Sequence, residues 1–290
     1  MTNVIKQKIR LKDGRILCYD EYGSPEGKPV LVFHGTPGSR LEGRIVHDAG
    51  IRLNARCISF DRPGIGLSDY KSRYGILDYQ DDVIQLADAL KIEYFAVLGV
   101  SGGGPYAAAC SVQYPQRITK IALVNVVCPY DAPGVTQGMN QSDRMSSMLA
   151  RRAPWLLRLF LRIMANNTRK NPEGFISGIV KEVPESDKKV LGQQAIQSWL
   201  IDTFLESVRS GTKGAAHDYS LITRKWGFHP QDITAEVHLW HGEDDNMVPP
   251  SMGRYLVNKI PNCQSNFLVN EGHISLIVNH TDEILHDLVV

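Results

Sequence analysis

The serine with the most unusual surroundings in this chain is Ser101, in the stretch FAVLGVSGGGPYAAA. An apolar run typical of a buried strand precedes it, and a helical composition follows it. Between these elements, GVSGG matches G-x-S-x-G, a pattern that holds a nucleophilic serine on a sharp strand-to-helix turn. Gly99 and Gly103 leave the space that such a turn needs. The pattern predicts that Ser101 is a nucleophile.

A serine hydroxyl needs a base to become a nucleophile, and the base needs an acid to orient it. His273, in NEGHIS, follows the last predicted strand, where a loop can reach back over the sheet edge. The acid is expected in HGEDDNMVP, after the preceding strand. Asp245 is the predicted acid, with Asp244 as an alternative, because spacing does not separate neighbours in one loop. Asp131, in the linker-like CPYDAPG, is a further alternative.

Apolar runs typical of strands alternate along the chain with segments of helical spacing, and these elements must position Ser101, His273 and the acid. A hairpin is predicted around Asp13-Gly14, a standard two-residue turn. The later strands are separated by helical patterns, which predicts a parallel sheet with right-handed crossovers. Sites in such sheets lie at the carboxyl ends of the strands, where Ser101 is expected. The predicted later strand segments are 29–35, 56–61, 94–100, 118–127, 235–245 and 265–273, and the last two end in the loops that carry Asp245 and His273. A final helix is predicted from about residue 274 to the end.

The alternation stops after the fourth of these strands, and segments of helical spacing punctuated by prolines take its place. This change predicts two domains, a core of residues 1–128 and 229–290 and a helical insertion of residues 129–228.

The most apolar stretch of the insertion, RRAPWLLRLFLRIM, carries Arg158 and Arg162 on one helix face. We favour a helix that covers the site while these arginines stay in water. The alternative is a helix that binds an anionic membrane surface.

Composition limits the classes of partner. The 290 residues are 43% hydrophobic and 22% charged, and a net charge of +1 gives no general attraction to nucleic acid. The N-terminus lacks the apolar segment of a secretory signal, and no apolar run approaches the ~18 residues of a membrane span. These features predict a cytoplasmic protein without integral membrane association. We expect a small-molecule substrate, no nucleic acid, no cofactor, no metal, and a monomer or homodimer.

Five motifs together resemble the α/β-hydrolases, in that family's order along the chain. VFHGTPGSR is similar to the family's oxyanion loop, DRPGIGLSD to the loop after its fourth strand, GVSGGG to its nucleophile turn, HGEDDNMVP to its acid loop and EGH to its histidine loop. The resemblance implies a mostly parallel eight-stranded sheet flanked by helices, with the insertion as a cap over the site. It also implies that the main-chain N–H groups of Thr36 and Gly102 form the oxyanion hole.

The predicted function is a serine hydrolase, most simply a carboxylesterase that acts on small to medium apolar acyl substrates through an acyl-enzyme on Ser101. The serine at position 101 distinguishes the chain from the dehalogenases and epoxide hydrolases of the family, which have Asp at the corresponding position. HGTPG and GVSGGG differ from the HGGPG and GGSWG of proline iminopeptidases. The alternatives are a ligand-responsive signalling protein with slow turnover, a C–C or amide hydrolase, and cofactor-independent oxygen chemistry.

Overall fold

One mixed β-sheet organises the fold, and the computed structural model describes residues 4–290. The eight strands are β1 (Val4–Arg10), β2 (Ile16–Gly23), β3 (Lys28–Phe33), β4 (Ala55–Phe60), β5 (Phe95–Val100), β6 (Ile118–Val124), β7 (Val237–Gly242) and β8 (Cys263–Leu268). Their order across the sheet is β1-β2-β4-β3-β5-β6-β7-β8. Strand β2 runs antiparallel to β1 and β4, and the other pairings are parallel. The predicted mostly parallel eight-stranded sheet is confirmed.

Helices cover the sheet on both sides. Residues 4–290 contain twelve α-helices: α1 (His47–Arg52), α2 (Gln80–Ala89), α3 (Gly104–Gln113), α4 (Gln141–Arg152), α5 (Pro154–Lys170), α6 (Pro172–Val180), α7 (Glu185–Leu191), α8 (Gln194–Ser207), α9 (Lys213–Ile222), α10 (Pro250–Val257), α11 (His273–Asn279) and α12 (Thr281–Val289). None of the helices within these residues has the length and apolar character that a bilayer crossing requires.

The double cover explains why the central strands are continuous apolar runs. All six residues of β5 are buried. Val97 packs into the cluster that contains α2 and α3, whereas Ala96 and Leu98 pack into the cluster that contains α1 and α12. A strand with helices on both faces has no solvent side, so the polar alternation of a surface strand is missing.

All the regular secondary structure between β6 and β7 is helical. Helices α4 to α9 occupy it, and residues 129–228, all of which the structure describes, contain no strand. The longest of these helices, α5, buries Leu157 and Leu161 but leaves Trp155 70% exposed. One face of α5 therefore packs inward, and another apolar face lies open.

Two local predictions at the end of the chain are wrong. A single helix from residue 274 to the end was expected, but α11 and α12 are separate, with His280 between them. His273 was expected in a loop, whereas it is the first residue of α11. His273 starts a helix because a carboxylate from the insertion accepts the first N–H groups of α11, as described below.

Candidate active site

Ser101 follows β5 directly and begins a 3₁₀ turn that leads into α3. Its φ angle of +51° lies in the left-handed region, which strains a residue that has a side chain. A Cβ atom at Gly103 would overlap the carbonyl oxygen of Phe33, and one at Gly99 would lie 2.8 Å from the Cβ atom of Ala107. The sharp turn therefore depends on both glycines. It leaves the Ser101 side chain partly exposed at the carboxyl edge of the sheet.

His273 and Asp245 form the tightest acid–histidine pair at this edge. His273 Nδ1 lies 2.7 Å from Asp245 Oδ2. The other carboxylate oxygen of Asp245 accepts the N–H groups of Met247 at 2.9 Å and Val248 at 2.8 Å. Asp245 is only 3% exposed. Since both of its oxygens are bonded, the carboxylate is fixed, and it directs the Nε2 atom of the imidazole away from itself.

The alternative acids lie elsewhere. Asp244 is exposed, and its main-chain N–H donates to the carbonyl of Glu271. Asp131 is also exposed, on the loop after β6. Among residues 4–290, neither side chain is hydrogen-bonded to His273. The structure therefore brings Asp245, and neither alternative, to the histidine.

The protonated form of His273 is favoured by its surroundings. Burial by itself lowers the pKa of this imidazole, but the charge and hydrogen bond of Asp245 and the charges of Asp187 and Asp143 outweigh it and raise the pKa to about 9. No hydrogen bond of residues 4–290 joins His273 to the Ser101 hydroxyl. A long contact between nucleophile and base is common before substrate binds.

The two oxyanion candidates, Thr36 and Gly102, are neighbours. A Cβ atom at Gly102 would lie 2.5 Å from Thr36 Oγ1. Within residues 4–290, the Thr36 N–H donates to no other group. Gly102 lies in the first turn of the helix after Ser101, where N–H groups have no partner inside the helix. Two uncommitted donors beside a serine hydroxyl can bind a developing negative charge.

A buried ion pair holds the loop that carries Thr36. Asp218, in α9, accepts from Arg62 Nε at 2.9 Å and Arg62 Nη2 at 2.7 Å. The Thr36 hydroxyl donates to Asp218 at 2.6 Å, and Arg62 also donates to the carbonyls of His34 and Gly35. Asp218 and Arg62 are each 1% exposed. A carboxylate from the insertion thus fixes the oxyanion loop through a charged, nearly dry network.

A second carboxylate from the insertion holds the start of α11. Asp187, in α7, accepts the main-chain N–H groups of His273 at 3.0 Å, Ile274 at 2.9 Å and Ser275 at 2.8 Å. It is completely buried. The first N–H groups of a helix lack partners, and an acidic group there also meets the positive end of the helix dipole. Burial raises the pKa of Asp187, while the bonds from these N–H groups oppose that rise.

Glu42 places a third buried carboxyl near the nucleophile. Its two oxygens accept the Gly35 N–H at 3.0 and 2.9 Å. A Cβ atom at Gly35 would lie 3.4 Å from both Ser101 Cβ and Glu42 Oε2. Burial raises the pKa of Glu42 to about 7, although the Gly35 bond and the charge of Arg62 act in the opposite direction.

Sequence reasoning did not find Asp187, Asp218 or Glu42. None of them stands in a motif with a spacing typical of catalysis, and two of them come from the insertion, far along the chain from the groups they bind. Residues 4–290 contain no cluster of three His, Cys, Asp or Glu side chains with the arrangement of a metal site.

Known proteins are similar to this chain in sequence and in fold. A proline iminopeptidase of Xylella fastidiosa is 32% identical over 116 residues, which are 38% of this chain and 36% of that protein. A bromoperoxidase structure from Bacillus anthracis has a TM-score of 0.71 at 19% identity, over 99% of this chain and 97% of that one. An esterase structure from Rhodococcus sp. ECU1013 has a TM-score of 0.68 at 20% identity, over 98% and 96%.

The matched stretch of the iminopeptidase is about a third of its length. The two structures, at 19% and 20% identity, carry information on the fold alone. A family model described as the alpha/beta hydrolase fold matches residues 28–280. This match covers most of the chain, so the protein belongs to the alpha/beta hydrolase fold family.

Proposed function

We propose that this protein is a serine hydrolase that cleaves carboxylic esters through an acyl-enzyme on Ser101. The observation that carries the proposal is the 2.7 Å contact between His273 Nδ1 and Asp245 Oδ2, at the same sheet edge as the strained Ser101 turn. This arrangement supplies a base with a fixed tautomer and a nucleophile in one place.

The proposed reaction has two halves. Neutral His273 takes the Ser101 proton through Nε2 while the serine oxygen attacks the ester carbonyl. The N–H groups of Thr36 and Gly102 bind the oxyanion, and His273 then gives the proton to the departing alcohol. Water, deprotonated in turn by His273, attacks the acyl-serine, and the carboxylic acid leaves as the Ser101 hydroxyl is restored. Asp245 stabilises the imidazolium in both halves.

The substrate class follows from the insertion, which we propose is a cap formed by residues 129–228. Ile222 of α9 reaches the oxyanion candidates, because its Cδ1 atom would lie 3.0 Å from a Cβ atom at Gly102. An apolar side chain at this point favours an apolar group next to the reacting carbonyl. Helices over the site also exclude water, which strengthens the interaction of the N–H donors with the oxyanion. Small to medium apolar acyl groups suit this setting.

The proposal is tested with a panel of p-nitrophenyl esters of increasing acyl length, run beside thioesters and aminoacyl amides. We expect repeated turnover of short and medium esters, and covalent labelling of Ser101 by a fluorophosphonate in mass spectrometry. Labelling at another residue would refute the assignment of the nucleophile. A single turnover per protein would favour the signalling alternative, and preferred cleavage of aminoacyl amides would favour the amide hydrolase.

A further inference from the structure

The positive charge of this protein is concentrated on two adjoining helices of the insertion. Residues 141–170, which span α4 and α5, contain seven Lys or Arg residues and one Asp. The rest of the chain contains 25 Lys or Arg against 30 Asp or Glu, so a net charge of +6 on this segment faces −5 elsewhere. The small net charge of the whole chain therefore conceals a strongly cationic segment.

Exposed apolar side chains occur on the same helices. Ten large hydrophobic residues are exposed among those that the structure describes, and five of them lie on α4 and α5. Trp155, Leu159 and Ile163 are 70%, 48% and 51% exposed and follow one another at four-residue spacing. Leu157 and Leu161, on the opposite side of α5, are buried. The exposed row is therefore additional to the row that packs the insertion.

Cationic side chains border the exposed row. Arg158, Arg162 and Arg169 line a groove of about 480 Å³ between α5 and the loop that follows α8, and Arg209 and Lys213 line its other side. Among residues 4–290, the three arginines of α5 have no carboxylate within ion-pair distance. Arg209 lies 3.2 Å from Glu206, and Lys213 lies over the ring of Tyr70.

We propose that this α5 face, formed by Trp155, Arg158, Leu159, Arg162 and Ile163, docks the protein on an anionic lipid bilayer. Guanidinium groups bind phosphate in a two-pronged geometry, and each basic residue near an anionic membrane surface strengthens binding to it by about fivefold. Tryptophan suits the boundary between headgroups and acyl chains, and the aliphatic row can insert below it. Charge and apolar surface on one helix face are the two requirements for such docking.

A second copy of the chain fits the face less well. A symmetric dimer through this surface would bring the arginines of one copy against those of the other. The repulsion would be strongest in the groove, where the arginines of α5 have no acidic partner in the described residues. A negatively charged layer that also accepts apolar side chains satisfies both components of the face.

The test is co-sedimentation of the full chain with vesicles of phosphatidylcholine alone or of equimolar phosphatidylcholine and phosphatidylglycerol. We expect binding to the anionic vesicles only, with a blue shift in tryptophan fluorescence. The double variant Arg158→Glu/Arg162→Glu should bind at least about twentyfold more weakly, because two favourable charges are lost. Its control is Lys8→Glu/Lys12→Glu, the same change of charge on exposed residues near β1.

A second pair of variants separates insertion from charge. Trp155→Ser should reduce binding at both low and high salt and abolish the fluorescence shift, whereas Val269→Ser, at a residue 74% exposed elsewhere, should leave binding unchanged. Circular dichroism and urea unfolding verify that each variant is folded. Equal sedimentation with both vesicle types, no sedimentation at all, or wild-type binding by Arg158→Glu/Arg162→Glu or Trp155→Ser would overturn the proposal.

Discussion

The loops at the carboxyl edge of the sheet and the helices between β6 and β7 contribute different groups to the candidate site. The sheet loops carry the proposed reacting groups, Ser101, Asp245 and His273. The insertion contributes Asp187 and Asp218, two buried carboxylates that bind parts of the sheet loops. Neither carboxylate is placed to exchange a proton with substrate in the proposed reaction. The comparison separates residues that react from residues that hold them.

The two carboxylates of the insertion differ in how their charge is balanced. Asp218 is balanced by Arg62, a full positive charge, in a pair that is closed to water. Asp187 accepts only main-chain N–H groups, at the positive end of a short helix. Loss of Asp218 leaves a buried cation without its partner, whereas loss of Asp187 leaves neutral donors without an acceptor. The first loss is expected to cost more.

The largest effect on kcat is expected from substitution of Ser101, the proposed nucleophile. Ser101→Ala should reduce kcat by at least about 10⁴-fold, because the nucleophile is gone while binding groups remain. Hydrolysis of p-nitrophenyl butyrate at saturation measures the loss, and urea unfolding should remain close to wild type. Ser142→Ala, on the exposed start of α4, is the matched control. Wild-type turnover by the Ser101→Ala protein would show that Ser101 is not the nucleophile and that the sheet loops do not carry the reacting groups as proposed.

Asp218→Asn tests whether the insertion positions the oxyanion loop. The change removes the charge that balances Arg62, so the free energy of unfolding should fall by about 3–5 kcal/mol. If Thr36 moves with the loop, kcat should fall by about 10²-fold while KM changes little, since an oxyanion donor acts mainly in the transition state. Urea unfolding and steady-state kinetics measure the two effects.

Asp202→Asn is the control for Asp218→Asn. It breaks a pair with Arg44 in which both side chains are about half exposed. The expected change in unfolding free energy is below about 1 kcal/mol. Equal effects of the two variants would show that the buried network has no special role.

Asp187→Ala should have a smaller effect than Asp218→Asn. It removes the acceptor of three N–H groups at the start of α11, and loss of a helix N-terminal acceptor costs about 0.5–2 kcal/mol. It also removes a negative charge near His273, so the pKa of His273 should fall and the acid limb of kcat/KM should move to lower pH. Asp187→Asn keeps an acceptor oxygen without the charge, and should recover stability but not the wild-type pH profile.

The control for Asp187→Ala is Glu185→Ala. Glu185 is exposed and lies in the first turn of α7, the helix that carries Asp187. Glu185→Ala should leave both measurements unchanged. Identical pH profiles for wild type and Asp187→Asn would contradict an electrostatic link between the insertion and His273.

The pH dependence of the wild type reports the charge of His273 directly, without a substitution. With the pKa of His273 raised to about 9, kcat/KM should rise with pH through that value as the imidazole becomes neutral. The free energy of unfolding should change with pH in the opposite direction. The folded pKa lies above the unfolded value of about 6.5, so this stabilisation is complete below that value and is lost as pH rises through about 9. Urea unfolding of wild type and His273→Gln between these limits measures the difference.

Much of the fold was predictable because its signals are local. Continuous apolar runs predicted β3 to β7, and Asp13-Gly14 predicted the hairpin of β1 and β2, which the structure confirms. The sharp turn at Ser101 was predictable for the same reason, since such a turn requires glycines beside it in the chain. The prediction that His273 lies in a loop failed because Asp187, 86 residues before His273, accepts the N–H groups that start α11.

The sequence by itself determined which groups are available for the proposed reaction, because the turn at Ser101 and the loops that carry Asp245 and His273 each impose residue types on their immediate neighbours. Tertiary structure decided which of the two adjacent aspartates meets His273, and it brought Asp218 to Arg62 across 156 residues. It also decided which apolar face of α5 is buried and which is exposed. These outcomes depend on how separate elements pack, and contacts between distant segments leave no periodic pattern in either segment.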